Sequence, residues 1–296
     1  MPKLKLHWYN YDKLCLVIDA KYLAHRCKYS PGYSELSYKD KKTGMYFGFF
    51  STIYSLVSKF NPDNIVFMWD TGKTKDSRRR EQFSGYKNKK FTSKSDEEIA
   101  MSVEFEEEYL GLMSECASIG FANFNLDRYE ADDLIALYCA QCHTKVVIIT
   151  RDEDMYQLLN NCVSIFSPDD KLLKTNKWFL NKYGIPPSDW VKVKQIGGCK
   201  SDTVPGVPGI GEKTALQYIL GETSEGTKNK IENDSMLDVY YSLVKLPHKD
   251  LTSMILKKKT TVVNWENFTS MCISMGHRKF LSSLSEWKRL FSFTEE

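Results

Sequence analysis

Three short apolar runs constrain the fold more than anything else in this sequence: "LCLVID" (Leu14 to Asp19), "NIVFMWD" (Asn64 to Asp70) and "KVVIIT" (Lys145 to Thr150). Each is rich in β-branched residues and ends on or just before an aspartate, the pattern of strands buried on both faces. Helical patterns separate them. Thr52 to Phe60 is one, and a long segment from Asp96 is another, with Ile99, Val103, Leu110, Met113 and Ala117 expected to form its apolar stripe opposite many glutamates. The alternation predicts an α/β fold: a mostly parallel central sheet with helices on both faces. In such open sheets ligands bind beyond the carboxyl ends of the strands. There this chain carries Asp19, Asp70 and, in "TRDED", Asp152 and Asp154.

"YEADDLIALY" (Tyr129 to Tyr138) brings more acid to the same edge. Ala131, Leu134, Ile135 and Tyr138 share one helix face, and Glu130, Asp132 and Asp133 crowd its first turn. Taken singly, an acid in a first turn is a stock capping choice, and an aspartate at a strand end is common. Capping does not require acids on separate elements to face one edge, so seven carboxylates are expected to converge. Crowded, partly buried carboxylates are costly unless a cation is bound among them or water reaches them. The histidines and cysteines show no metal-ligand spacing, so the acids suit hard cations, Mg²⁺ or Mn²⁺ rather than zinc. Two such ions could activate a water and stabilise the leaving oxygen of a phosphodiester, which points to a nuclease or phosphatase.

After Asp70 the chain becomes basic. Between Arg78 and Lys94 lie Arg78, Arg79, Arg80, Lys87, Lys89, Lys90 and Lys94 against the single acid Glu81, with Phe83, Tyr86 and Phe91 interleaved. Such a segment could be a solvated loop; beside an acid cluster it could follow a phosphate backbone and stack on unpaired bases. Further on, "QIGGCKSDTVPGVPGIGEKTALQYI" (Gln195 to Ile219) nearly makes a P-loop. Glu212 falls between Gly211 and Lys213, and no buried strand precedes it, so nucleotide binding is rejected. A glycine turn leading through Lys213 and Thr214 into a helix describes a hairpin that could hold a phosphate on its amides.

Composition sets the remaining bounds. The 296 residues are 42% hydrophobic with a net charge of +3, an ordinary globular balance that allows one large domain or a main domain with an appendage. No secretion-type start and no apolar run of spanning length appear, so an intracellular, membrane-free chain is expected. The eight dispersed cysteines read as reduced thiols. "CAQCH" at Cys139 matches a haem-attachment string only formally, because it continues a helix.

In order, "VIDAKYLAHR", "WDTGKTKDSRRREQFSGYK", "YEADDLIA", "TRDEDMYQLL" and "GGCKSDTVPGVPGIGEKTA" make the chain resemble the flap endonuclease and 5′ to 3′ exonuclease family from about Leu14 to Leu220. The family includes bacteriophage enzymes and the N-terminal nuclease domain of bacterial DNA polymerase I. The resemblance implies that Asp19, Asp70, Glu130 and Asp132 serve one metal position, and Asp133, Asp152, Asp154 and Asp202 the other. It places Arg26 near the reacting phosphate. Lys87 would assist the scissile phosphate and Tyr86 would stack on a terminal nucleotide. Arg79 and Lys90 would contact DNA in a basic helical arch at about residues 72–115. Gly209, Gly211, Lys213 and Thr214 match a C-terminal helix-hairpin-helix that grips duplex DNA and can hold K⁺. One departure is plain: where relatives carry G-D-x-x-D, Cys199 follows Gly198 and Asp202 alone remains.

The resemblance therefore implies a Mg²⁺-dependent structure-specific 5′ nuclease using two ions, with Mn²⁺ as substitute. Its substrates would be branched or 5′-ended DNA, or RNA in RNA-DNA hybrids. A nuclease core over 1–190, a helical DNA-binding region over 191–296, a monomeric state, a cytoplasmic setting and replication proteins in trans are expected. A non-catalytic junction binder of the same fold is the alternative, disfavoured because unneutralised carboxylates repel DNA.

Overall fold

The three apolar runs become the centre of the sheet. The computed structural model describes residues 13–70, 77–88 and 95–293. Its strands are β1 (Leu14–Asp19), β2 (Ser37–Tyr38), β3 (Lys41–Lys42), β4 (Asn64–Met68), β5 (Ala122–Phe124), β6 (Lys145–Ile149), β7 (Val163–Phe166) and β8 (Leu173–Lys174). The main sheet runs β5-β4-β1-β6-β7-β8, parallel throughout except for β8, while β2 and β3 form a separate hairpin. The chain thus builds outward from β1 to β4 and β5, then returns to the other side of β1 for β6. That reversal puts the crevice for a ligand above β1.

Alternation along the strands fills both faces. Leu16 and Ile18 join one apolar core, and Cys15 and Val17 join the other. On the first face lie α1 (Ala20–Lys28), α2 (Gly44–Phe60) and, after the short α3 (Arg78–Gln82), α4 (Asp96–Ile119). The second face takes α5 (Ala131–Gln141), α6 (Asn176–Tyr183), α7 (Trp190–Gly197) and α8 (Glu212–Ile219), followed by α9 (Glu225–Glu232) and α10 (Leu237–Val244). The chain then crosses back, and α11 (Trp265–Ser274), α12 (Arg278–Ser282) and α13 (Leu284–Leu290) bury Phe268, Phe280 and Trp287 in the first core. Both cores therefore cross the expected division after residue 190: Ile196, Ala215 and Ile231 pack in the same cluster as Val17 and Ile148, as Phe268 and Trp287 do with Leu16 and Ile18.

The long helix differs from its expected register. Ile99, Val103 and Leu110 are exposed, and the buried face of α4 is Phe105, Tyr109, Leu112, Cys116 and Ile119. Both sets have helical spacing. The larger aromatic set wins because Tyr109 stacks on Phe105 and reaches Trp69 at the end of the sheet. The N-terminal turns are held by a capping box between Ser95 and Glu98. All eight cysteines are free, five of them buried. No helix among the described residues is long and apolar enough to cross a membrane.

Candidate active site

Asp19 closes β1 and caps α1, its Oδ1 accepting from the Tyr22 amide at 3.1 Å. Its other oxygen accepts from the hydroxyl of Thr150 at 2.8 Å, and Thr150 in turn accepts from the amide of Asp152 at 3.1 Å. This fully buried threonine orients the first two acids of the cleft. Nothing in its strand-end position announced that role in the sequence. Asp70 accepts from the first free amide of α5, at Ala131, at 2.8 Å, and its own amide donates to the Tyr109 hydroxyl at 3.0 Å. A strand-end carboxylate thus faces the positive end of the helix that carries the next acids.

That helix start divides its three acids. Glu130 and Asp132 turn to the cleft. Asp133 turns inward, fully buried, and receives the Arg79 guanidinium on both oxygens at 2.5 and 2.7 Å and the His248 amide at 2.7 Å. Two expectations are corrected by this pair. Asp133 has its lone pairs committed to protein donors rather than to an ion, and Arg79, 3% exposed, is a core residue and not a DNA contact. Arg79 also donates to the carbonyls of Leu243 and Lys245, so it joins α3, α5 and the end of α10. A buried arginine needs such a set of acceptors to offset desolvation.

Of the residues that follow α3, 83–88 pack over the cleft. Tyr86 is 1% exposed, so it is not free to stack on a nucleotide; its hydroxyl donates to Glu130 at 2.9 Å and points at Asp202 at 3.5 Å. Lys87 is brought among the acids, its Nζ 2.9 Å from Glu130 and 3.5 Å from Asp202, with a left-handed backbone at φ 48°. Lys90 lies outside the described residues. Arg26, two turns along α1 from Asp19, pairs with Asp169 at 2.6 Å rather than with an acid of the cleft.

The remaining acids come from beyond β6 and from the glycine loop. Asp152 caps a 3-10 turn through the Asp154 amide at 2.8 Å. Asp154 faces Lys194 of α7 at 3.4 Å, and Lys194 also reaches Glu212 of α8 at 3.1 Å, a link from cleft to hairpin that sequence spacing did not reveal. Gly198 and Gly206 make the loop between α7 and α8 possible. Both have positive φ, 78° and 65°, and a Cβ on Gly206 would stand 2.4 Å from the Gly198 nitrogen. The loop brings Asp202 under Lys87, whose amide donates to the Asp202 carbonyl at 2.8 Å. Asp154, Cys199 and Asp202 then offer ligand atoms all within 4.8 Å of one another.

Burial, added to mutual repulsion, governs the charge state. Desolvation holds Asp19 at about 7 and Asp152 at about 6, with neighbouring carboxylates adding to the rise, and it raises Asp70, Asp132, Asp154 and Asp202 as well. Lys87 is pushed upward, because the attraction of Glu130, Asp202 and Asp132 outweighs its own desolvation. Oxygen donors in excess of the cations around them are a donor set that fits divalent ions.

A parallel sheet with a cleft of convergent carboxylates and a lysine lodged among them defines a class of hydrolase acting on phosphate esters. The chain belongs to the 5′-3′ exonuclease family and is a phosphodiester-cleaving nuclease: the profile of the 5′-3′ exonuclease N-terminal resolvase-like domain matches residues 14–184. A 5′-3′ exonuclease of Halalkalibacterium halodurans is 32% identical over 273 residues, 86% of this chain and 85% of that one. The thermostable DNA polymerase I of Thermus aquaticus is 30% identical over 207 residues, 69% of this chain and 23% of the polymerase. The fold is shared with a bacteriophage T5 flap endonuclease crystallised as a pseudo-enzyme-product complex with DNA and metal ions. The TM-score is 0.64 at 23% identity, covering 79% of this chain and 90% of that one.

Proposed function

We propose that this nuclease is Mg²⁺-dependent and structure-specific, removing 5′ flaps and 5′-terminal nucleotides from branched DNA, and RNA from hybrids, in replication or repair. The observation that carries the reading is the meeting of Lys87 with Glu130 and Asp202 at the carboxyl edge of the sheet, among carboxylates that burial and repulsion hold above their ordinary range. Asp19, Asp70, Glu130 and Asp132 would hold one divalent ion, and Asp152, Asp154 and Asp202 a second, with Mn²⁺ able to replace Mg²⁺. When bound, the ions supply Lewis acidity that activates a water and offsets charge on the leaving oxygen.

The chain's own groups do the rest. Lys87 neutralises charge that builds on the scissile phosphate, and Tyr86 and Thr150 hold Glu130 and Asp19 in orientation. Arg26 supplies a further cation on the rim, and Lys90 would extend the basic path. At the hairpin, an added Cβ on Gly211 would meet nothing within 4 Å, so no contact inside the protein demands glycine there. That freedom supports close approach of a DNA phosphate to Gly209, Gly211, Lys213 and Thr214, and the turn's carbonyls could hold K⁺. In this reading residues beyond 190 grip the duplex although they share the core. The protein works as a monomer inside the cell, meeting replication proteins in trans.

The test is cleavage of 5′-labelled flap, nicked and RNA-DNA hybrid substrates with Mg²⁺, Mn²⁺ or chelator. Short flap products that appear only with a divalent ion are expected, and product length separates endonucleolytic from exonucleolytic cutting. Binding of the flap without cleavage under any of these ions would overturn the reading.

A further inference from the structure

The loop from Gly198 to Gly206 sets a thiol where the other ligands of the cleft are carboxylates. Cys199 is 4% exposed, and its amide and carbonyl both bond to Val204 at 2.9 Å, so the side chain leaves a closed bridge in one direction. That direction is the cleft. Sγ donates to Asp154 Oδ2 at 3.2 Å and lies 2.9 Å from the Ser201 hydroxyl. With Asp202 it completes a triad whose ligand atoms lie within 4.8 Å of one another, a few tenths of an ångström beyond the reach of two opposed bonds of about 2.3 Å, so a shift of that size draws all three onto one ion.

We propose that Cys199 is a ligand of the second ion position and turns that position toward thiophilic divalent ions, of the Zn²⁺ and Cd²⁺ kind, at the expense of Mg²⁺. The inference rests on the two-ion reading above. Sulfur is a soft donor and Mg²⁺ a hard, oxygen-seeking cation, so exchanging a carboxylate for a thiol changes which ion the position prefers. On binding, the S–H bond breaks, its proton leaves to solvent and a sulfur-metal bond forms, with no change of oxidation state. The Asp154 oxygen that had accepted the S–H is freed to become a ligand of the same ion. The first position has only oxygen donors and stays a hard-cation site, so the cleft holds two unlike positions.

The test titrates the metal-free full chain with Cd²⁺ in excess Mg²⁺ and reads the ultraviolet thiolate-to-cadmium charge-transfer band, beside Cys199→Ser and Cys199→Asp. A band saturating at one equivalent is expected in the wild type. Both variants should lose it and bind Cd²⁺ weaker by roughly 10- to 100-fold or more, the scale that even outer-shell changes produce. Cys199→Asp should bind Mg²⁺ more tightly than the wild type. X-ray absorption of the wild-type one-equivalent Zn²⁺ complex needs no variant to fold, and should show sulfur at about 2.3 Å. An equal band in wild type and Cys199→Ser, or no sulfur about the ion, overturns the proposal. Flap cleavage is scored separately. Cleavage without the thiolate signature removes the ligand role and leaves the nuclease; the signature without cleavage does the reverse.

Discussion

Asp132 and Asp133 are neighbours in sequence and differ completely in task. Asp132 sits in the cleft with its pKa driven well up by desolvation and by Asp152 and Asp19. Its charge is a cost to the ion-free fold. Asp132→Asn should therefore lower the single-turnover cleavage rate by roughly 10²- to 10³-fold, while the melting temperature of the chelated protein stays level or rises. A parallel loss of stability would show that the carboxylate serves folding instead. Asp133 is the opposite case, because its two oxygens take the forked guanidinium of Arg79 in the core. Removing one partner of such a pair strands the other, so Arg79→Met should cost about 3–5 kcal/mol in urea unfolding. Arg79→Lys should recover little of it, since an ammonium cannot make the paired contact.

At the scale of elements, two glycines separate folding from binding. Gly206 has φ 65° and no room for a Cβ, so Gly206→Ala should cost more than about 1 kcal/mol and disturb the loop that carries Cys199 and Asp202. Gly211 caps α8 with φ −102° and ψ 177°, a conformation serine adopts readily at an N-cap. Gly211→Ser should leave melting unchanged and weaken DNA affinity; unchanged affinity in a filter or anisotropy titration would remove the hairpin from the proposed interface. The long helix offers a third contrast. Leu112→Ala should cost roughly 2–5 kcal/mol, because that side chain is fully buried. Val103→Lys, on the face that the hydrophobic pattern favoured, should fall within about 0.5 kcal/mol of the wild type.

Across the whole molecule the acid cluster links stability to pH and to ions. Asp19 rises from 3.8 to about 7 and Asp152 to about 6 on folding, so the folded state holds protons that the unfolded chain has released. Their contribution is full below pH 4 and is lost as pH climbs through 6 to 7. The chelated protein should therefore melt at a falling temperature across this window, and a saturating divalent ion should restore it most at the upper end. Asp19→Asn should flatten the chelated profile. A flat wild-type profile with chelator would mean that the carboxylates are better solvated than their burial indicates.

The sequence alone carried the sheet and most of the cleft. β-branched runs admit few alternatives to buried strands, and a parallel sheet fixes which end of each strand faces the ligand, so Asp19, Asp70, Asp152 and Asp154 could be assigned to one edge. Helical period likewise set which side of Ala131, Leu134 and Ile135 packs inward. Neither period could settle competitions between equally periodic choices, such as the two stripes of α4 or the two orientations open to Asp132 and Asp133. Those were decided by partners distant in the chain: Trp69 for Tyr109, and Arg79 with the His248 amide for Asp133. A buried charge is placed by whatever can neutralise it, and only the tertiary structure says what stands within 3 Å. The same limit applied to Cys199, whose sequence position marked a missing carboxylate while the folded loop turned its sulfur onto Asp154.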